Sequence, residues 1–185
     1  MHSPETIEPT AAERNPSGRT FFGQPGPLAN LFSVELWERF SFYGMQGILL
    51  IYMYFTVAEG GLGIDEAVAT GIVGAYGGMV YVFCIIGGWV ADRLLGSERT
   101  MFISGVLIMC GHIALALVPG VPGLALGLVL VGLGSGGLKA NVANLVGNLY
   151  TRADPRRDAG FSIFYMGINI GGLIGPLLTG WTAQA

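Results

Sequence analysis

The sequence predicts an all-α, polytopic membrane protein with five transmembrane helices. Of its 185 residues, 52% are hydrophobic and only 11% are charged, whereas soluble globular domains are usually about 25% charged. The mean hydropathy is +0.60. The apolar residues are grouped in five segments, each close to or above the ~20 residues needed to cross a hydrocarbon core of ~30 Å. Composition and segmentation together exclude a soluble globular domain.

The segment before the first helix, residues 1–27, is polar and rich in Pro, Glu and Thr. It lacks a basic start, a short apolar core and a small-residue cleavage site, so we interpret it as a polar tail and not as a signal peptide. Short connectors with turn residues separate the apolar segments that follow. We expect transmembrane helices over about residues 28–57, 67–93, 100–118, 124–149 and 160–182.

The positive charges outside these segments predict the orientation. The loop arginines fall only in the tail and in the second and fourth connectors, whereas the first and third connectors have no Lys or Arg. They are Arg14, Arg19, Arg93, Arg99, Arg152, Arg156 and Arg157. Because Lys and Arg are enriched in cytoplasmic loops, the N-terminus is predicted to be cytoplasmic and the fifth helix to end outside.

Most of the 31 glycines lie inside the apolar segments. Small residues at this density are typical of membrane helices that pack closely. The run GLGSGG, Gly132–Gly137, has no strand before it, so it does not fit a phosphate-binding loop. We expect it to let the fourth helix approach its neighbours closely.

Away from the helix ends, four charged side chains fall inside the predicted helices: Glu35, Glu38 and Arg39 in the first and Lys139 in the fourth. A charge at the bilayer centre costs at least ~2.5 kcal/mol on insertion scales, so such residues usually face the interior of a bundle and have partners. Glu35 and Arg39 are four residues apart with the acid first, the favourable order for a helical ion pair. Lys139 is predicted to be the compensating partner from another helix.

Polar side chains of four predicted helices lie at a similar depth in the membrane and so form one layer. Counted from the cytoplasmic end, Arg39 and Lys139 lie about ten or eleven residues into their helices, roughly 15 Å deep. Tyr81 and Asn169 lie at a similar depth in the second and fifth helices. A polar layer at the midplane is where transporters bind their substrates. The layer therefore predicts a solute site, with a purely structural ion pair between helices as the alternative.

The sequence shows no arrangement typical of an enzyme. No catalytic triad, metal-ligand cluster or nucleic-acid-binding feature is apparent in it. We therefore expect no enzymatic activity, no metal or cofactor, and no nucleic-acid partner.

Four stretches resemble the signatures of the proton-dependent oligopeptide transporters (POT, also called PTR) within the major facilitator superfamily. ELWERFSFYG, Glu35–Gly44, resembles the motif E-x-x-E-R-F-x-Y-Y-G of that family. The other three resemble the signatures of the second cytoplasmic connector, the fourth helix and the fifth helix. They are Gly87–Thr100, Gly137–Tyr150 and Phe161–Pro176. The resemblance covers nearly everything after residue 21, in the right order and spacing.

This resemblance implies that the five helices belong to the six-helix N-terminal bundle of a major facilitator fold, here an incomplete bundle. It implies inward symport of di- and tripeptides with protons by alternating access, across a bacterial-type inner (plasma) membrane. The coupling ion would be the proton, without a cofactor. The partners would be small peptides, the lipid bilayer and the remaining C-terminal helices of the full transporter.

The resemblance also implies roles for individual residues, by their position in the motifs. They are Glu35, Glu38 and Arg39 for proton coupling; Arg39, Tyr43, Tyr81, Lys139 and Asn169 for substrate binding; and Asp92 and Arg93, in a G-x-x-x-D-R element, for gating.

Three positions depart from the family pattern. Phe42 stands where the motif has its first tyrosine, so one hydroxyl is lost and peptide preference could change. Gln46 stands where many bacterial members have arginine, and Ala140 stands where proline commonly follows the lysine. Two alternatives to peptide symport remain open: a transporter of the same fold for another anionic small solute, such as nitrate or a modified amino acid, and a non-transporting membrane fragment.

Overall fold

The computed structural model describes residues 18–184, which form a short β-hairpin followed by five long helices. The hairpin strands β1 (Thr20–Phe21) and β2 (Gln24–Pro25) pair antiparallel. The helices are α1 (Pro27–Tyr54), α2 (Glu66–Val90), α3 (Ser97–Leu117), α4 (Gly120–Gly147) and α5 (Arg157–Gln184). Residues 1–17 of the predicted tail, with Arg14, lie outside the described residues. The predicted all-α class is confirmed.

Local side-chain bonds fix the ends of the helices around the first connector. α1 ends at Tyr54, earlier than the predicted residue 57, because Thr56 and Glu59 form a reciprocal capping box that starts a separate short turn. The Thr56 hydroxyl donates to Glu59 over 2.7 Å, which lowers the pKa of that carboxyl. α2 begins where the Asp65 side chain accepts from the Ala67 N–H at 3.0 Å.

α2 ends in a single π-helical turn, Ala91–Leu95, followed by an immediate reversal of the chain. Gly96 has φ +79°, a left-handed conformation that glycine adopts without strain. α3 then starts at Ser97. The second connector is therefore very short, and it presents the π turn on the outside of the bundle.

α4 is the central helix, packed along α2 and α3, while α1 packs along α5. The glycine run of α4 provides the close contacts: a Cβ on Gly136 would collide with Phe83 of α2, and one on Gly134 with Ile108 of α3. The predicted role of this run in close helix packing is confirmed.

α1 and α5 run parallel and touch through a second row of glycines. Gly167, Gly171 and Gly175 of α5, spaced by four residues, each lie against the backbone of α1. This spacing places them on one face of α5, as in small-residue interfaces between membrane helices. One turn beyond them, Thr179 Oγ1 donates to the carbonyl of Gly44 at 3.2 Å.

Four of the five described helices are long and apolar enough to cross a membrane: α2 with its π turn, α3, α4 and α5. α1 has 28 residues, which is about 42 Å of helix, but its charged residues lower its hydropathy. Large apolar side chains such as Ile85, Phe102 and Leu117 are about three-quarters exposed on the outside of the bundle. The prediction that α1 also crosses depends on its charges facing protein and not lipid.

The β-hairpin closes the end of the bundle at which α1 begins. The Phe21 ring lies 5.5 Å from the ring of Phe32 on α1. Buried Tyr150, just after α4, donates its hydroxyl to Gln24 Oε1 at 3.1 Å. Burial raises the pKa of Tyr150, which keeps the phenol protonated as a donor. Residues 18–26 are thus part of the folded bundle, whereas the sequence predicted only a polar tail there.

Candidate functional site

Three charged side chains of α1, Glu35, Glu38 and Arg39, lie buried against one another in the middle of the bundle; we call them the charged trio. Arg39 Nε is 3.1 Å from Glu35 Oε1 and 2.5 Å from Glu38 Oε2. The three residues are 2%, 5% and 4% exposed, respectively. Their spacing of three and four residues puts them on one face of α1. The charged side chains therefore face protein and not lipid, which is required if α1 crosses a membrane.

Apolar clusters enclose the charged trio on both sides along α1. Towards the hairpin, Leu28 and Leu31 pack against α4 and α5, and away from it Phe42 and Met45 pack against α2 and α4. Water is thereby kept from most of the trio, and in such a region the attraction between opposite charges is stronger than in water. Leaving one of these charges without a partner is correspondingly costly.

Hydrogen bonding within the trio is incomplete. Glu35 Oε2, Glu38 Oε1 and Arg39 Nη2 are buried and make no hydrogen bond to any residue in the described range 18–184. One guanidinium also faces two carboxylates, so the trio has an excess negative charge when both acids are ionised. A proton on either acid would remove that excess, and this makes the trio suited to binding a proton.

Lys139 approaches the same layer from α4 but is held by an aromatic ring. Its Nζ lies 4.3 Å from the centre of the Tyr81 ring, a cation–π contact. Lys139 is half-buried, Tyr81 is exposed, and no ion pair joins Lys139 to an acid of the described chain. The predicted direct compensation of the trio by Lys139 is therefore not seen, because Arg39 occupies both acids.

Tyr43 and Asn169 border the layer from α1 and α5. The Tyr43 ring centre lies 5.9 Å from Arg39 Cζ, and the residue is partly exposed at 39%. Asn169 is exposed and donates its Nδ2–H to the Tyr165 carbonyl at 3.0 Å, within α5. The structure thus brings Tyr43 to the trio and leaves Asn169 on an open surface.

Asp92 and Arg93, the predicted gating residues, lie far from the trio in the π turn after α2. Both are exposed, and within residues 18–184 neither forms an ion pair. Their role in gating stays a prediction.

Two buried hydroxyls close to this layer were missed by the sequence analysis. Tyr76 of α2 is 6% exposed and Ser135 of α4 is fully buried, and neither hydroxyl has a hydrogen-bond partner among the described residues. Tyr76 stacks on Phe42 with ring centres 6.0 Å apart. Sequence offered little signal for either, because Tyr76 stands in a glycine-rich apolar stretch and Ser135 inside the glycine run.

Several known proteins similar to this chain are named as peptide transporters. Residues 98–185 match the PTR2 family model, described as the POT family. A di-/tripeptide transporter of Lactococcus lactis subsp. lactis is 53% identical over 172 residues, which are 92% of this chain and 35% of that protein. The peptide transporter YePEPT of Yersinia enterocolitica is 47% identical over 168 residues, 90% of this chain and 33% of that protein. The chain therefore spans about a third of the length of these relatives.

Solved structures of POT family transporters have a similar fold. The peptide transporter POT in complex with sulfate has a TM-score of 0.87 and 52% identity, over 93% of this chain and 35% of that one. A POT family transporter in complex with 5-aminolevulinic acid has a TM-score of 0.84 and 46% identity, over 86% of this chain and 33% of that one.

Proposed function

We propose that this chain is the N-terminal part of a POT family transporter that carries di- and tripeptides into the cell together with protons. The curated relatives named above are transporters, proteins that move a solute without converting it. The observation that carries the proposal of proton coupling is the charged trio, in which one buried guanidinium serves two carboxylates. The excess negative charge of the trio favours the binding of a proton. The bound proton in turn weakens the attraction of the acids for Arg39.

The proposed coupling starts with a proton on Glu35 or Glu38. The protonated acid attracts Arg39 less strongly, so the guanidinium can turn to the carboxylate of a bound peptide. Peptide and proton then favour each other's binding, and by linkage each raises the affinity for the other equally. No cofactor takes part, because the proton itself is the coupling ion.

Lys139 supplies a second cation for the peptide carboxylate. Within residues 18–184, the Lys139 ammonium contacts the Tyr81 ring and forms no ion pair. It can therefore turn to a substrate without breaking a buried ion pair. Tyr43, Tyr81 and Asn169 line the same layer and bind the peptide backbone. This arrangement requires substrate to enter between this bundle and the remaining C-terminal helices of the transporter.

We place the chain in the inner (plasma) membrane as a multi-pass protein with its N-terminus in the cytoplasm. The arginines of the second and fourth connectors lie at the end of the bundle where α1 begins, which supports this orientation. Asp92 and Arg93 at the same end are proposed to contact the C-terminal helices during gating.

A second candidate is transport of another small anionic solute or a modified amino acid, favoured by the related transporter that binds 5-aminolevulinic acid. Competition against labelled dialanine in proteoliposomes of the complete transporter separates the two. We expect unlabelled di- and tripeptides to reduce dialanine uptake at lower concentrations than nitrate or 5-aminolevulinic acid do. Stronger competition by either of the latter would assign the site to that solute.

A further inference from the structure

We propose that Tyr76 is a positioning residue for proton coupling: its hydroxyl oxygen accepts a hydrogen bond from the protonated Glu38 carboxyl once Glu38 has released Arg39. The inference rests on the proposed proton coupling, and it adds a residue of α2 to a proton-binding group so far confined to α1.

Both residues are buried, each has an oxygen without a partner, and their chemistry is complementary. Glu38 Oε2 is paired with Arg39, but neither Glu38 Oε1 nor the Tyr76 hydroxyl has a hydrogen bond to the part of the chain that the structure describes. A buried polar group without a partner is rare and destabilises the fold. A protonated carboxyl has an O–H to donate, and a tyrosine hydroxyl can accept it.

The helix geometry brings the two groups to the same place. Phe42 lies four residues after Glu38, so it is on nearly the same face of α1 and about 6 Å further along the axis. The Tyr76 ring stacks on the Phe42 ring, with centres 6.0 Å apart and planes 23° apart. On its other side, the Tyr76 ring packs so closely against Gly132 of α4 that a Cβ there would lie 3.3 Å from it. The ring is held between two helices, against a residue that lies one turn along α1 from Glu38.

The electrostatic surroundings favour a change of partner by Glu38. While ionised, Glu38 lies against Arg39, its closest charged neighbour. Protonation weakens that attraction and gives the carboxyl a proton to donate, which the guanidinium cannot accept because it has no acceptor atom. Tyr76 supplies an acceptor in an otherwise apolar cluster.

Few other titratable groups face this position. α1 contributes Glu35, Arg39 and Tyr43, α4 contributes Lys139, and α2 contributes Cys84 and Tyr81 besides Tyr76. α5 has no ionisable residue over 166–180.

The test is the Tyr76→Phe variant of the complete transporter in proteoliposomes. Initial dialanine uptake is measured over a series of external pH values, with a fixed pH difference across the membrane. Loss of the acceptor destabilises protonated Glu38, so the pH of half-maximal uptake is expected to fall by about half to one pH unit. Tyr54→Phe, which removes an exposed hydroxyl at the far end of α1, is expected to leave the profile unchanged.

A Tyr76→Phe profile that is unchanged, or shifted to higher pH, would overturn the inference. Peptide exchange without a gradient reports whether the variant is folded. If exchange is lost, Tyr76 replaced by 3-fluorotyrosine decides, because that ring keeps its size while its oxygen is a weaker acceptor. Its profile should shift to lower pH as well, and an unshifted one would count against the proposal. Wild-type uptake that ignores pH would instead refute the proposed proton coupling itself.

Discussion

Replacing Glu38 with glutamine is expected to abolish the uphill accumulation of dialanine in proteoliposomes of the complete transporter. A gradient of one pH unit supports about a tenfold accumulation for each proton coupled, or about 1.4 kcal/mol. The glutamine amide has nearly the shape of the carboxyl but cannot gain or lose a proton. Arg39 then has only Glu35 as an acidic partner, 3.1 Å away, and this one-to-one pair has no excess negative charge for a proton to remove. The ratio of internal to external dialanine should therefore fall to about one, whatever the pH gradient.

The matched control for this variant is Glu66→Gln, which removes an acid from the exposed first turn of α2. It should accumulate dialanine like the wild type. Exchange of labelled for unlabelled dialanine should persist in the Glu38 variant, because Arg39 and Lys139 remain to bind the peptide. Full gradient-driven accumulation by Glu38→Gln would show that the proton binds elsewhere.

Replacing Lys139 with alanine is expected to raise the KM for dialanine by about 10- to 150-fold, the equivalent of one lost hydrogen bond between charged groups. Lys139 is held by the Tyr81 ring at 4.3 Å and not by an acid, so its charge is available to the substrate. Arg99→Ala, which removes an exposed charge from the first turn of α3, should leave the KM unchanged.

A dialanine with an amidated C-terminus tests whether Lys139 binds the carboxylate of the peptide. In the wild type, dialanine with an amidated C-terminus should bind much more weakly than free dialanine. In Lys139→Ala that difference should shrink, because the group that distinguishes carboxylate from amide has been removed. If Lys139→Ala keeps the full preference for the free carboxylate, Lys139 is not the group that recognises it.

The sequence predicted the contacts that lie within one helix. The pairing of Glu35 with Arg39 follows from their spacing of four residues, and the structure confirms it at 3.1 Å. The role of the glycine run was also predicted, because small residues in a membrane helix mainly allow close helix packing. Both predictions need only the local sequence of one helix and not the identity of its neighbours.

Contacts between helices could not be predicted in the same way. Depth placed Lys139 at the level of the trio, but only the rotation of α4 decides whether its ammonium meets an acid or the Tyr81 ring. Tyr76 was missed because its importance comes from Phe42 on another helix. The hairpin was missed because Gln24 is buried only through Tyr150, 126 residues further along the chain.

The most direct test of the central claim, that proton and peptide move together, is the pH inside proteoliposomes of the complete transporter when dialanine is added outside. With equal pH on both sides at the start, inward symport should acidify the interior in step with dialanine entry. The acidification should saturate with dialanine concentration and be absent in Glu38→Gln. Entry of labelled dialanine into wild-type proteoliposomes without any acidification would contradict the account.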